Sequence, residues 1–259
     1  TKVAKAVYSR ASVEGKRALC LGGAKNHLVV VPDADVELTA ENVVASFVGC
    51  AGQRCMAASV LLAVGKVDHI LDRIKARAAT ILPSKDLGPV TSKAAMQRIK
   101  GYIDGAEKLG ANVVLDGRKA APGGDCADGY WIGPTIIDNV TLSMPAATEE
   151  IFGPVLSVVR VDTLERAIEI ENANPYGNAS SVYTSSGDVA RRVMNRVEAG
   201  MCGVNVGVPV PREPFGFGGW NDSLFGHGNI TGWDGYRFWT RQRKITTKWA
   251  IQKDQTWMS

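Results

Sequence analysis

Gly49-Cys-Ala-Gly-Gln-Arg-Cys-Met56 is a short, glycine-punctuated loop that ends in an Arg-Cys pair. Gly49 and Gly52 let the backbone turn tightly and come close to a ligand. Arg54 sets a permanent cation beside Cys55, and a neighbouring positive charge favours the thiolate, the nucleophilic form of cysteine. The competing structural reading is a buried thiol that packs as a small hydrophobe.

The surroundings of the loop set the fold class. Ahead of it, Asp35 can cap a helix running to about Val48, with Val44, Phe47 and Val48 on its inner face. Behind it, residues 59–64 are an apolar strand. Further strands are expected at residues 17–21, 28–31, 113–115, 131–137, 155–161, 180–184 and 201–206. Helices are expected at 3–11, 67–79, from Thr91 or Ser92 to Leu109, at 164–172 and at 189–198. Strands alternating with helices predict an α/β fold around a mainly parallel sheet. Residues 209–235, rich in Gly, Pro, Asn and aromatics, read as an ordered loop. Residues 240–249 read as a final strand.

Composition excludes several functions. At 259 residues and 45% hydrophobic, the chain can bury a large core. Its 30 basic and 26 acidic residues give +4, spread along the chain, which makes no case for nucleic acid. Five cysteines without paired spacing imply reduced thiols and no metal site. No apolar run is long enough for a bilayer, so no membrane role is expected. There is no signal-like N-terminus, and the chain begins at Thr1 in mid-helix pattern, as a piece of a longer protein would. The expected compartment is the cytoplasm, or the mitochondrial matrix in a eukaryote. Neither Gly216-Phe-Gly-Gly219 nor Gly22-Gly23 has the strand and helix context of a dinucleotide fingerprint.

Seven motifs occur in a recognisable order. They are Leu21-Gly-Gly-Ala-Lys-Asn-His27, Gly52-Gln-Arg-Cys55, Leu87-Gly-Pro89, Gly133-Pro-Thr135, Glu149-Glu-Ile-Phe-Gly-Pro154, Asn174-Pro-Tyr-Gly-Asn178 and Gly203-Val-Asn205. On these the chain resembles the C-terminal half of the aldehyde dehydrogenase superfamily. With Ile245-Thr-Thr-Lys-Trp249, it resembles the CoA-acylating methylmalonate- or malonate-semialdehyde dehydrogenases within it. The resemblance implies Cys55 as nucleophile, and NAD as cofactor with CoA as co-substrate. It also implies Glu150 on the nicotinamide ribose hydroxyls, Phe152 flanking the nicotinamide, and Gly22 where the backbone passes the cofactor. A carboxylate suits the ribose because it accepts from two adjacent hydroxyls. Arg54 is the candidate for the substrate carboxylate, held in two-point geometry, against a structural pairing within the protein. His27 reads as a structural histidine and Cys20 as an inert strand-end thiol.

One departure is informative. Hydrolytic members of the superfamily carry a glutamate base just before Leu-Gly-Gly; here the candidate positions are Cys20 and Leu21. Without a carboxylate, water attack on a thioacyl-enzyme is slow, whereas a thiol such as CoA needs less help. The implied reaction is oxidation of the semialdehyde to propionyl-CoA or acetyl-CoA through a Cys55 thioester. The alternatives are a non-acylating, water-using semialdehyde dehydrogenase and an inactive half-protein serving as a binding or assembly module. The expected division is residues 1–21 as the end of the NAD-binding domain, 22–228 as the catalytic domain and 229–259 as a return segment with an oligomerisation strand. That strand implies a homo-oligomer, a dimer or tetramer.

Overall fold

The computed structural model describes residues 1–120, 122 and 124–250. Residues 121 and 123 of the loop after the 113–115 strand, and residues 251–259 of the expected return segment, lie outside the described residues. The helices are α1 (Lys2–Val13), α2 (Val36–Val48), α3 (Asp68–Ala78), α4 (Lys93–Lys108), α5 (Pro145–Thr148), α6 (Leu164–Asn172), α7 (Gly187–Met194) and α8 (Gly232–Trp239). The strands are β1 (Cys20–Leu21), β2 (Asn26–Val30), β3 (Ala58–Val64), β4 (Asn112–Leu115), β5 (Thr135–Asp138), β6 (Val155–Val161), β7 (Tyr176–Gly177), β8 (Ala179–Tyr183), β9 (Met201–Val204), β10 (Trp220–Asn221) and β11 (Leu224–Phe225).

Among the described residues, seven strands form one sheet in the order β4-β5-β6-β3-β2-β8-β9. Every pairing in it is parallel except β4 with β5. The expected α/β architecture is therefore present. The apolar runs explain it: β2 is buried at all five positions, as a central parallel strand covered on both faces must be. Helices α2, α6 and α7 pack on the sheet. The predicted caps are seen. Asp35 accepts from the Leu38 N–H at 2.8 Å, and of the two candidates at the start of α4, Ser92 is the cap, accepting from Ala95 at 3.1 Å.

This topology puts the site at the carboxyl end of α2 and the amino ends of β2, β3 and β8. Two antiparallel ribbons, β1 with β11 and β7 with β10, fold the residue 220–225 segment back against the Gly22–Gly23 turn. No helix among the described residues is long and apolar enough to cross a membrane.

Several expectations differ from what is observed. The 131–137 strand shortens to β5, because Pro134 lacks an N–H for the ladder. Helix α7 stops at Met194, short of residue 198. Helix α8 forms in the region read as loop; Gly232 and Gly235 hide its weak pattern. The final strand over residues 240–249 is absent from the described chain. A strand needs a hydrogen-bonded partner, and among the described residues no strand pairs with this segment. Ile245 and Trp249 stand 77% and 90% exposed on it. An alternating, unpaired segment of this kind invites pairing with another chain. Ending the protein at Trp239 is therefore expected to give a smaller or aggregating species by light scattering, and an unchanged oligomer would take these residues out of any interface.

Candidate active site

Helix α2 delivers the chain to the Cys55 loop and ends in an unusual turn. Over Gly49–Gly52 the backbone tightens, with Cys50 at φ 53° and Ala51 at φ 54°, before Gly52 at φ 68°. Non-glycine residues seldom take left-handed conformations, and such strain clusters at functional sites. Phe152 does the same at φ 53°, in the loop that touches this one. A Cβ on Gly52 would collide with the Gly153 carbonyl, so Gly52-Gln-Arg-Cys55 and Glu149-Glu-Ile-Phe-Gly-Pro154 meet backbone to backbone. Gln53 ties the same loop to Leu87-Gly-Pro89. Its Oε1 accepts from the Thr91 N–H at 2.9 Å and its Nε2 donates to the Cys50 carbonyl at 3.2 Å and to the Pro89 carbonyl at 3.5 Å.

Cys55 is exposed, against the buried-thiol alternative. Its carbonyl is held from two sides, by the side-chain amides of Asn26 at 2.8 Å and Asn178 at 2.9 Å. Asn26 Nδ2 also donates to the Ala57 carbonyl at 2.8 Å, and its Oδ1 accepts from the Ala179 N–H at 3.2 Å. One buried amide thus joins β2, β3 and β8 beneath the cysteine. The Cys55 N–H donates to no protein group among the described residues.

Glu150 and Gly22 are brought to the same turn. Glu150 Oε1 accepts from the Ala24 N–H at 3.2 Å. Burial pushes its carboxyl above the usual range, opposed by that N–H and by nearby cations. Its neighbour Glu149 is exposed and accepts from the Tyr102 hydroxyl at 2.6 Å, at the end of a groove of about 380 Å³ lined by Arg98, Tyr102, Pro145 and Ala146. Geometry thus separates two carboxylates that are adjacent in sequence. Phe152 is 37% exposed. An anchored, half-buried carboxylate and a partly exposed aromatic thus stand two residues apart in this loop.

The surroundings of Gly22, Gly49 and Arg54 can be described from the protein side. A Cβ on Gly22 would collide with the Asp222 carbonyl, so a close approach of the chain to itself requires glycine there. Gly49 makes room for the Arg54 guanidinium in the same way. Arg54 does not present a free two-point fork. Its Nη2 donates to the Ala45 and Ser46 carbonyls, both at 2.8 Å, which closes the carboxyl end of α2 where a cation is favoured. Its Nη1 remains without a protein partner among the described residues.

Residues 1–245 match the aldehyde dehydrogenase family. The chain belongs to the aldehyde dehydrogenase family. It is 45% identical over 251 residues to malonate-semialdehyde dehydrogenase 1 of Geobacillus thermodenitrificans, covering 94% of this chain and 51% of that protein. The structure superposes with TM-score 0.93 on a Sinorhizobium meliloti protein assigned as a methylmalonate-semialdehyde dehydrogenase and crystallised with NAD. That pair is 41% identical, over 97% of this chain and 53% of the other. It superposes equally, at 0.93 and 38% identity, on methylmalonate-semialdehyde dehydrogenase from Oceanimonas doudoroffii, with the same coverage. The chain therefore spans about half the length of these aldehyde dehydrogenases.

Some site residues escaped the sequence reading. Asn26 and Asn178 lie inside quoted motifs, yet an asparagine pattern does not reveal that both amides converge on one carbonyl. Lys25 was also passed over. It is buried, which no lysine in a polar turn announces. His27 is buried too and held neutral, its pKa pulled down to about 3 by burial and then by Lys25, in keeping with a structural role. Cys20 is half-buried in β1. Cys202 donates to the Ala199 carbonyl at 3.4 Å, and burial, then Glu171, pushes its thiol up to about 11. Among the described residues no group of three or more His, Cys, Asp or Glu could hold a metal ion.

The double hold on Cys55 gives a graded expectation. Asn26→Ala removes three hydrogen bonds, leaving the Cys55 carbonyl to Asn178 alone and the Ala57 carbonyl and Ala179 N–H without this partner, and is expected to cost roughly 2–3 kcal/mol, whereas Asn178→Ala is expected to cost about 1 kcal/mol. Urea denaturation measures both, and equal losses would mean that Asn26 does not organise the site.

Proposed function

We propose that the chain is the thiol-bearing part of an NAD-dependent, CoA-acylating methylmalonate- or malonate-semialdehyde dehydrogenase. Its complement is the portion matching the N-terminal half of the relatives; the two together are called the whole enzyme below. The observation that carries the reading is a solvent-facing Cys55, its carbonyl pinned by two amides, with no carboxylate in the β1 strand where a deacylating base would stand. Residues 1–21 then belong with the cofactor-binding part and 22–228 with the catalytic part, and the enzyme works in a reducing compartment.

Cys55 sulfur attacks the aldehyde carbon and forms the C–S bond. The free Cys55 N–H is one donor to the oxyanion, and a second comes from the complement. Glu150 holds the ribose hydroxyls and Phe152 lies against the nicotinamide. NAD, when bound there, supplies the hydride acceptor. The product at Cys55 is a thioester whose carboxylate sits β to the carbonyl. Loss of carbon dioxide leaves the electron pair as an enolate, which takes a proton from solvent. The CoA thiolate then displaces Cys55 and carries off propionyl or acetyl. Arg54 can contribute one point of contact to the substrate carboxylate through Nη1 while Nη2 secures α2.

Positions 20 and 21 support CoA over water as the acceptor. Cys20 and Leu21 pair with Phe225 and Leu224 in the β1 ribbon and offer no base. The second reading is a non-catalytic binding or assembly module, in which these 259 residues would act without a complement. The intact mass of the native protein separates the two.

The whole enzyme is expected to release a burst of NADH approaching one equivalent per Cys55 and then stall, with CoA restoring turnover and yielding acyl-CoA in step. Cys55→Ala should abolish the burst, while Cys20→Ala and Cys202→Ala keep most activity. Consecutive strand residues face opposite ways, so only one of Cys20→Glu and Leu21→Glu should raise CoA-independent hydrolysis, by about two to four orders of magnitude. Steady CoA-independent turnover by the unmodified enzyme, with free acid formed as fast as NADH, would establish the water-using alternative instead.

A further inference from the structure

Lys25 is 3% exposed, and its Nζ has no hydrogen-bond partner among the described residues. A buried ammonium without a partner is costly, so such a lysine either loses its proton or answers to an anion nearby. Its place in the chain is informative. On one side is Ala24, whose N–H binds Glu150; on the other is Asn26, whose amide binds the Cys55 carbonyl. Glu150 leans over this same turn: a Cβ on Gly23 would lie 3.1 Å from its Oε2.

The groups facing Lys25 and Glu150 can be named. Glu150 and Glu149 approach from the segment after α5, and His27 from β2. Arg98 of α4 bears on Glu150, and the Tyr176 ring packs over Gly23. Glu149 already accepts from the Tyr102 hydroxyl and acts on the amine less than Glu150 does, and His27 is neutral. Burial draws Lys25 down to about 7, against the pull of Glu150 first and Glu149 second. Burial pushes Glu150 the opposite way, with Lys25 among the charges that resist it.

We propose that Lys25 is the positioning residue for Glu150, the buried cation that keeps its Ala24-anchored carboxylate ionised to accept from the ribose hydroxyls of a dinucleotide. This rests on the reading of Glu150 as the ribose ligand. The sign follows from the direction of the shift. Below pH 7 Lys25 is charged and supports an ionised Glu150; above it the amine is neutral and the support is withdrawn.

The test is NAD affinity of the whole enzyme from pH 6 to 8, by fluorescence titration or calorimetry. Wild type is expected to weaken about tenfold across this range, as nine-tenths of the amine loses its proton one unit above its pKa. Lys25→Arg, which stays charged, should bind tightly with a flat profile. Lys25→Met should bind at the weak, high-pH level throughout. A merely structural lysine would change the melting temperature and leave the profile alone. If Lys25→Met does not fold, the Lys25→Arg profile decides: a flat one supports the proposal and one that still falls near pH 7 overturns it. Glu150→Gln separates the two layers. Unchanged affinity in that variant would remove Glu150 from the ribose. Weakened affinity there, alongside Lys25 variants that keep the wild-type profile, would remove Lys25 from its role.

Discussion

The Cys55 carbonyl, accepting from Asn26 at 2.8 Å and Asn178 at 2.9 Å, is the contact on which the rest of the site depends. A loop thiol on a strained backbone has no fixed position of its own. Two amides that root in β2 and just ahead of β8 give it one. Each neutral hydrogen bond contributes only about 1 kcal/mol net, but leaving such a carbonyl unpaired costs more. The sheet's parallel register makes the arrangement possible, because it lines up the amino ends of β2, β3 and β8 under one loop.

The motif glycines serve this same economy of space. Gly52 admits the Gly153 carbonyl, Gly49 admits the Arg54 guanidinium and Gly22 admits the Asp222 carbonyl. In each case the close neighbour belongs to the protein. The glycines let separate motifs touch, and the touching surfaces then present Cys55, Glu150 and Phe152 together. Cys50, Ala51 and Phe152 carry the backbone strain that this crowding imposes.

Local chemistry was legible in the sequence wherever it is set by neighbours in the chain. The Asp35 cap, β6 and α6 fall where periodicity puts them, and Cys55 and Glu150 stand out through their motifs. What could not be read depends on partners far along the chain. The convergence of Asn26 and Asn178 joins residues 152 apart in sequence to a third in between. The engagement of one Arg54 nitrogen by α2 narrows a reading that left both a two-point carboxylate clamp and a structural pairing open. Burial of Lys25 belongs to the fold around the Gly22–Asn26 turn, which the local sequence does not announce. The segment 240–250 has strand alternation but no pairing strand among the described residues, so its pattern alone does not make a strand.

The central claim is that Cys55 carries the acyl group and waits for CoA. The direct measurement is peptide mass spectrometry of the whole enzyme, quenched in acid after mixing with semialdehyde and NAD in the absence of CoA. The account predicts a propionyl or acetyl thioester on the Cys55 peptide, lost when CoA is added before the quench. An unmodified Cys55 peptide after NADH has formed, or the acyl group on another cysteine, would contradict it.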